Sequence, residues 1–231
     1  MKINDLKRIM VDLKESDFYL ISYDLVQFLQ RKSNLTLLLE SIVDDQSELK
    51  RISKDSFIHN LGFTRINLIG WDTSEYMVKL HVWNLFEEGV ERNQIMKETI
   101  HDHMYDFRSG LIKGQMKFTI FSEDPTGNIY TKYESPISDK KYIFNNIGNV
   151  GLVELIQVSL EENSTYFIRS ETIHNTSIKD DFTVTICIQS KLKKKSTFLY
   201  IGDGKIIDKE KSKRFDQGEL KNVIKKVIEK L

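Results

Sequence analysis

The first sixty residues show the hydrophobic periodicity of helices. One apolar face is formed by Leu6, Ile9, Met10 and Leu13. This i, i+3, i+4, i+7 spacing is typical of an amphipathic helix. Residues 17–52 continue with apolar patches of helix length and contain no Gly or Pro. We therefore predict an N-terminal helical segment over residues 1–60, with two or three helices.

A different pattern begins near Arg65, where short apolar or alternating runs replace the helical spacing. The runs are RINLIGW, YMVKLHVW, FRSGLIKG, MKFTIFSE, NIYTKYES, LVELIQVSL, TYFIRS, FTVTICIQS and TFLYIGDGKII. Turn signals separate them, notably DPTGN at 124–128 and NNIGNVG at 145–151. Many short strands at regular spacing favour an antiparallel barrel or sandwich, so we predict a mainly β fold over residues 61–215.

Residues 216–231 return to the helical pattern. One apolar stripe is formed by Leu220, Val223, Ile224, Val227, Ile228 and Leu231, with lysines on the other face. We expect this C-terminal amphipathic helix to pack on its own chain. The alternative is a contact that builds a homodimer.

Composition narrows the partners and the compartment. Lys and Arg number 34, as do Asp and Glu, so no net field attracts nucleic acid or an anionic membrane. No apolar run approaches the length of a membrane span, and the N-terminus lacks the apolar stretch of a signal peptide. The single cysteine, Cys187, lies in an apolar run that predicts a buried strand thiol. We expect a cytoplasmic protein whose partner is a small-molecule substrate.

The candidate chemistry lies in residues 100–114, IHDHMYDFRSGLIKG. On a strand, His101 and His103 share one face with Tyr105, because side chains alternate between the two faces. Two imidazoles on one strand can share a metal ion, but a catalytic site usually takes three protein ligands. His174, at the edge of another apolar run, is the candidate for the third.

These residues resemble the first motif of the cupin superfamily, H-x-H followed by Glu and Gly. His101, His103 and Gly114 match it, whereas Phe107 stands at the Glu position and Ile95 at that of a preceding Gly. The second cupin motif is matched by His174 alone. Its Gly, Pro, Gly and Asn positions hold Asn163, Arg169, Glu171 and Ile178. The resemblance covers about residues 62–201 and implies a cupin-type antiparallel β-barrel, the double-stranded β-helix.

A metal site of three histidines without a carboxylate resembles the cysteine dioxygenase branch of the cupins. Three neutral imidazoles suit Fe(II) best, with Zn, Ni, Mn and Cu as alternatives. The resemblance therefore implies a non-haem iron oxygenase that acts on a small organic molecule such as an amino acid or a thiol. A metal-dependent isomerase or hydrolase and a non-catalytic small-molecule-binding cupin are the alternatives.

Further candidates surround this site. A carboxylate substrate would need a cationic partner, for which Arg65 and Arg169 are the candidates. Tyr105 is the third catalytic candidate. Strand parity directs Asp106 away from the histidines unless a bulge turns it back, which would make it a substitute ligand. We interpret His59 and His81 as structural residues, and we expect His81 to point outward or towards a helix.

Overall fold

The computed structural model describes residues 1–59, 63–85, 99–138, 141–178, 182–203, 209–210 and 212–231. The helices are α1 (Ile3–Asp12), α2 (Phe18–Leu29), α3 (Lys32–Val43), α4 (Gln46–Ser53) and α5 (Gln217–Lys230), with a 3-10 turn at Glu15–Asp17. None of them is both long enough and apolar enough to cross a membrane.

The strands outnumber the helices. They are β1 (Phe57–Ile58), β2 (Thr64–Ile69), β3 (Met77–Trp83), β4 (Ile100–His101), β5 (Tyr105–Lys113), β6 (Met116–Pro136), β7 (Lys141–Tyr142), β8 (Asn145–Leu160), β9 (Thr165–Ile168), β10 (Ile173–Ile178), β11 (Thr183–Leu192), β12 (Ser196–Ile201) and β13 (Lys209–Glu210). This confirms the prediction of a mainly β fold with N-terminal helices and a C-terminal helix.

Two antiparallel sheets carry the fold. Sheet A has the strand order β1-β2-β3-β11-β5-β9, and sheet B has the order β10-β4-β12-β6-β8, with a further pairing of β10 to β6. Strands β7 and β13 form a separate pair. Two facing antiparallel sheets of this kind are the architecture that the cupin resemblance implies.

The N-terminal segment contains four α-helices rather than the predicted two or three. The helical run is interrupted at Arg31, which has extended backbone angles, and at Asp45, the residue that precedes α4. The Asp45 carboxylate accepts hydrogen bonds from the backbone N–H groups of Ser47 (2.9 Å) and Glu48 (3.2 Å), which is ordinary N-capping. The prediction was wrong because these breaks use neither Gly nor Pro.

The helices pack against one face of sheet A. Aliphatic side chains of β2, β3, β5 and β11 form one buried cluster with residues of all five α-helices. Leu220 and Val227 of α5 belong to it, and α5 contacts α3 and α4. The expectation that α5 packs on its own chain is therefore confirmed. Residues of all three predicted segments, 1–60, 61–215 and 216–231, belong to this cluster.

Both predicted turns in sheet B lie within long strands. Residues 124–127 interrupt the pairing of β6 with β8, because Glu123 and Asn128 both pair with Leu152 of β8. Residues 145–151 belong to β8, and Gly148 adopts φ +126° there without a chain reversal. Gly and Asn were taken as turn signals, but here they accommodate bulges where two long strands bend together.

Candidate metal centre

Three histidines from distant parts of the chain meet between the sheets. The ring centroids of His101 and His103 are 4.8 Å apart, and those rings lie 4.9 and 5.0 Å from the ring of His174. One ring nitrogen from each residue lies within 4.8 Å of the others. The structure thus brings together the three residues that the sequence selected as metal ligands.

Strand pairing explains this convergence. His174 of β10 stands directly opposite His101 of β4 in an antiparallel pair. His103 follows in the same chain segment, and its backbone N–H donates to the carbonyl of Ser170, 3.0 Å away. Both histidines of the H-x-H stretch face His174, although β4 itself ends at His101.

The residue between the two histidines fastens their segment to sheet B. The Asp102 carboxylate accepts hydrogen bonds from the Phe198 backbone N–H (2.7 Å) and the Thr197 hydroxyl (2.8 Å), and it pairs with the ammonium group of Lys194. The Asp102 backbone N–H donates to the carbonyl of Phe198. This buried carboxylate holds the histidine segment in place.

Backbone carbonyls set the tautomers of two rings. Nδ1 of His101 lies 2.9 Å from the carbonyl oxygen of Thr99, and Nδ1 of His174 lies 2.9 Å from that of Thr172. A carbonyl oxygen can only accept, so each Nδ1 carries the proton and each Nε2 keeps its lone pair. A partner on the far nitrogen is the usual way to orient a metal-binding imidazole.

Burial keeps the cluster uncharged. It lowers the pKa of His101 and lowers that of His103 well below the ordinary range, with the neighbouring histidines adding to the effect on His103. The pKa of His174 is lowered to about 3, mainly by burial. Neutral imidazole is the form that binds a metal, so the three rings are in the binding state at neutral pH.

Aromatic rings pack against the histidine cluster, and one of them belongs to Phe107, which stands at the Glu position of the cupin motif. The Phe107 ring packs edge-on against His103, with centroids 4.9 Å apart, and Phe118 stacks on His174 at 5.1 Å. Asp106 points to the other side of its strand, where it accepts a hydrogen bond from the Ser170 backbone N–H at 2.8 Å. Asp106 is therefore not positioned as a substitute ligand.

The cluster opens into a cavity of about 460 Å³ between the two sheets. Arg65 and Tyr105, two of the three predicted catalytic residues, line it. Tyr105 lies beside His103, with ring centroids 5.3 Å apart, and burial raises its pKa to about 12. Arg169 is exposed and is not among the lining residues. The structure therefore does not bring Arg169 to the cavity, because sequence proximity to His174 does not place it on the inner face.

His81 lies elsewhere than predicted, and Lys79 was not among the predicted site residues. Both belong to β3 and line the cavity, whereas His81 was predicted to point outward or towards a helix. The prediction failed because the all-aliphatic face of β3 packs against the helices, which leaves the polar face for the cavity. The alternation of aliphatic and polar residues in MVKLHVW separated the two faces of β3 correctly, but it did not indicate which face lines the cavity. His59, also interpreted as structural, lines the cavity too.

Neither models of known protein families nor curated protein sequences match the chain. Among solved structures, it is similar to hydroxypropylphosphonic acid epoxidase from S. wedmorenis, with 7% identity over 59% of this chain and 56% of the other, at a TM-score of 0.34. It is also similar to a cupin-like protein from Thermotoga maritima, with 12% identity over 59% and 73% of the two chains, at a TM-score of 0.31.

A third similar structure is a hydroquinone 1,2-dioxygenase in complex with Cd²⁺ and 4-hydroxybenzonitrile, with 9% identity over 63% and 72% of the two chains, at a TM-score of 0.31. The chain thus spans just over half the length of the epoxidase. The arrangement described above, two antiparallel sheets with a three-histidine cluster between them, is the one that the cupin resemblance implies.

Proposed function

We propose that this chain is a cupin-type, metal-dependent oxygenase, with Fe(II) as its ion, that acts on a small organic molecule. The observation that carries the proposal is the convergence of three neutral imidazoles at the wall of a cavity large enough for such a molecule. Titratable residues of strongly lowered pKa in a cavity mark a candidate functional site.

The donor set fits a divalent transition metal. His101, His103 and His174 would hold the ion through ring nitrogens, and imidazole suits Fe, Zn, Ni and Cu. Three protein ligands leave positions open for other ligands, as catalytic sites require. When bound, Fe(II) supplies the redox chemistry that dioxygen activation needs.

The chain's own residues prepare the site around these ligands. The carbonyls of Thr99 and Thr172 hold two rings in one orientation. Phe107 and Phe118 cover one side of the cluster and exclude water there. The Tyr105 phenol stays protonated at neutral pH and can donate a hydrogen bond beside His103.

Elemental analysis of protein purified without a chelator tests the metal. We expect about one equivalent of a transition metal in the natural protein, little in His101→Ala and His174→Ala, and no loss in His59→Ala. His59 is the matched control because it lines the same cavity but lies outside the three-histidine cluster. Absence of metal from the natural protein would contradict the proposal and favour a non-catalytic ligand-binding cupin.

Oxygen uptake tests the reaction. Fe(II)-loaded protein is given amino acids and small thiols, and we expect oxygen consumption that depends on the added substrate and disappears in His174→Ala. Stoichiometric metal without oxygen consumption across the panel would contradict the oxygenase assignment. It would favour the isomerase or hydrolase alternative, in which the ion acts as a Lewis acid.

A further inference from the structure

The cavity contains a buried lysine that the proposed metal site does not use. Lys79, in the middle of β3, is 2% exposed, and its side chain lines the cavity wall formed by sheet A. Its ammonium group donates to the side-chain oxygen of Gln189 and lies 4.7 Å from the centroid of the Tyr105 ring. No carboxylate of the described residues forms an ion pair with it.

Stability does not account for this lysine. A buried cation without a counter-charge destabilises a fold, since it loses its hydration and gains little in return. Gln189 offers only one neutral oxygen, and its own side-chain N–H group has no hydrogen-bond acceptor in the described structure. The pair therefore leaves both a charge and a donor uncompensated inside the protein.

Positive charges outnumber negative ones among the described residues that line the cavity. Arg65 joins Lys79 as a second cation. The only carboxylate among the described lining residues is Asp102, which is already bonded to Lys194, Thr197 and the backbone. An ion held by the three histidines would add further positive charge. Among the described lining residues, no carboxylate is therefore left to balance the two cations.

The two cations are placed to share one ligand group. Arg65 and Lys79 lie on neighbouring strands of sheet A, and both line the same cavity. The Nε–H of Arg65 donates to the side-chain oxygen of Asn67 at 3.0 Å, which leaves its other N–H groups for a ligand. Burial and the charge of Arg65 lower the pKa of Lys79, and an anion beside the amine would favour its charged form.

We propose that Lys79 and Arg65 form a subsite for the anionic group of a small organic substrate, with a carboxylate as the best fit. The inference rests on the proposed function, because it places the rest of the substrate towards the three histidines. The Tyr105 ring contacts both Lys79 and His103, so a single aromatic ring separates the subsite from the cluster. The remaining wall is rich in aromatic rings, including Phe63 and Trp83, which suit an apolar substrate body.

Three probes of similar shape and different charge test the subsite: benzoate, benzamide and benzylamine. Their binding is measured by calorimetry on metal-loaded protein and again after chelator treatment. We expect benzoate to bind at least about tenfold more tightly than benzamide in both forms, and benzylamine most weakly of the three. Measuring the chelated form removes any direct contribution of the ion to benzoate binding.

Variants then assign the preference to the lysine. Lys79→Met is expected to weaken benzoate binding about tenfold or more and to leave benzamide binding within about twofold. Lys117→Met, which removes a lysine of β6 outside the cavity lining, is the matched control and should bind all three probes like the natural protein. Lys79→Gln carries the same test should the methionine variant not fold, as judged by near-ultraviolet circular dichroism.

The possible failures are distinguishable because metal content is measured on the same samples. Equal affinities for benzoate and benzamide, no benzoate binding up to about 10 mM, or an unchanged preference in the Lys79 variants would each overturn the subsite. Stoichiometric metal in those samples would leave the proposed function standing. Conversely, a lysine-dependent benzoate preference in protein that takes up no metal would support the subsite and contradict the oxygenase.

Discussion

The two faces of sheet A carry opposite kinds of side chain. On β3, Val78, Leu80 and Val82 are fully buried against the helices, whereas Lys79 and His81 lie between them in sequence and line the cavity. The other central strand, β11, repeats the contrast, with an aliphatic helix face and with Cys187, whose thiol is buried as predicted, on the cavity face. Stability and candidate chemistry are thus assigned to alternate residues of the same strands.

The two faces differ in energetic sign. Each fully buried aliphatic side chain on the helix face contributes about 1.5–3 kcal/mol through removal of apolar surface from water. Polar side chains on the cavity face lose hydration on burial, as the lowered pKa values of His81 and Lys79 indicate. Burial of the helix face therefore stabilises the folded state, and this offsets the free-energy cost of burying polar groups on the cavity face.

The largest expected effect lies at the histidine cluster. His174→Ala should weaken metal binding by more than the roughly 10–100-fold that loss of an outer hydrogen-bonding partner causes, since it removes a ligand itself. In the presence of chelator, the free energy of unfolding of this variant should differ little from that of the natural protein. Competitive chelator titration measures the affinity, and urea unfolding measures the stability. Retention of full metal affinity would contradict the assignment of this side of the cavity to metal binding.

The helix face should show the reverse behaviour. Ile186, fully buried in β11, faces the helices, and Ile186→Ala should lower the free energy of unfolding by about 2–5 kcal/mol. Metal content per folded molecule should not change. Ile186→Val is the graded control, with a loss of about 1 kcal/mol. A loss of metal at unchanged stability would remove the distinction between the two faces.

Removing the buried polar pair should stabilise the fold. The double variant Lys79→Met/Gln189→Met removes a desolvated ammonium group and an amide N–H that has no acceptor in the described structure. The methionine side chains occupy a similar volume. We expect the free energy of unfolding to rise by about 1–4 kcal/mol in urea denaturation. A decrease would mean that the pair contributes to stability and does not resemble a functional group retained at a cost.

The smallest effect concerns pH. Burial and nearby positive charge lower the pKa of His59 from 6.5 to about 3, so the unfolded chain takes up a proton below pH 6.5 that the folded chain does not. Stability from this group is complete above that pH and is lost as pH falls towards 3, by on the order of 1 kcal/mol per pH unit. His59→Gln should flatten the dependence measured by urea unfolding between about pH 7 and pH 5. Parallel curves for the two proteins would exclude this role.

Local patterns together with the cupin resemblance selected the histidine cluster. The H-x-H spacing fixed His101 and His103 on one face, and His174 was the remaining histidine at a strand edge. The aliphatic alternation of β3 and β11 also separated the two faces of sheet A. These inferences succeeded because strand parity depends only on neighbouring residues.

The rest required the tertiary arrangement. Both faces of sheet A are buried, so hydrophobicity could not tell the helix side from the cavity side, and His81 was misplaced. Arg169 is near His174 in sequence, but it follows β9 at the exposed edge of sheet A. The segment 145–151 was taken as a turn because its long partner strand, β6, cannot be recognised from local composition.

The histidine cluster forms only when β10 pairs in the correct register with the short strand β4. His174 faces His101 only when β10 is aligned correctly with both β4 and β6, since a slip of one residue would turn its ring out of the cavity. These pairings join segments that are far apart along the chain, and contacts of this kind slow folding. The cluster consequently assembles only in molecules in which β10 is correctly paired, and metal uptake during refolding should follow that pairing.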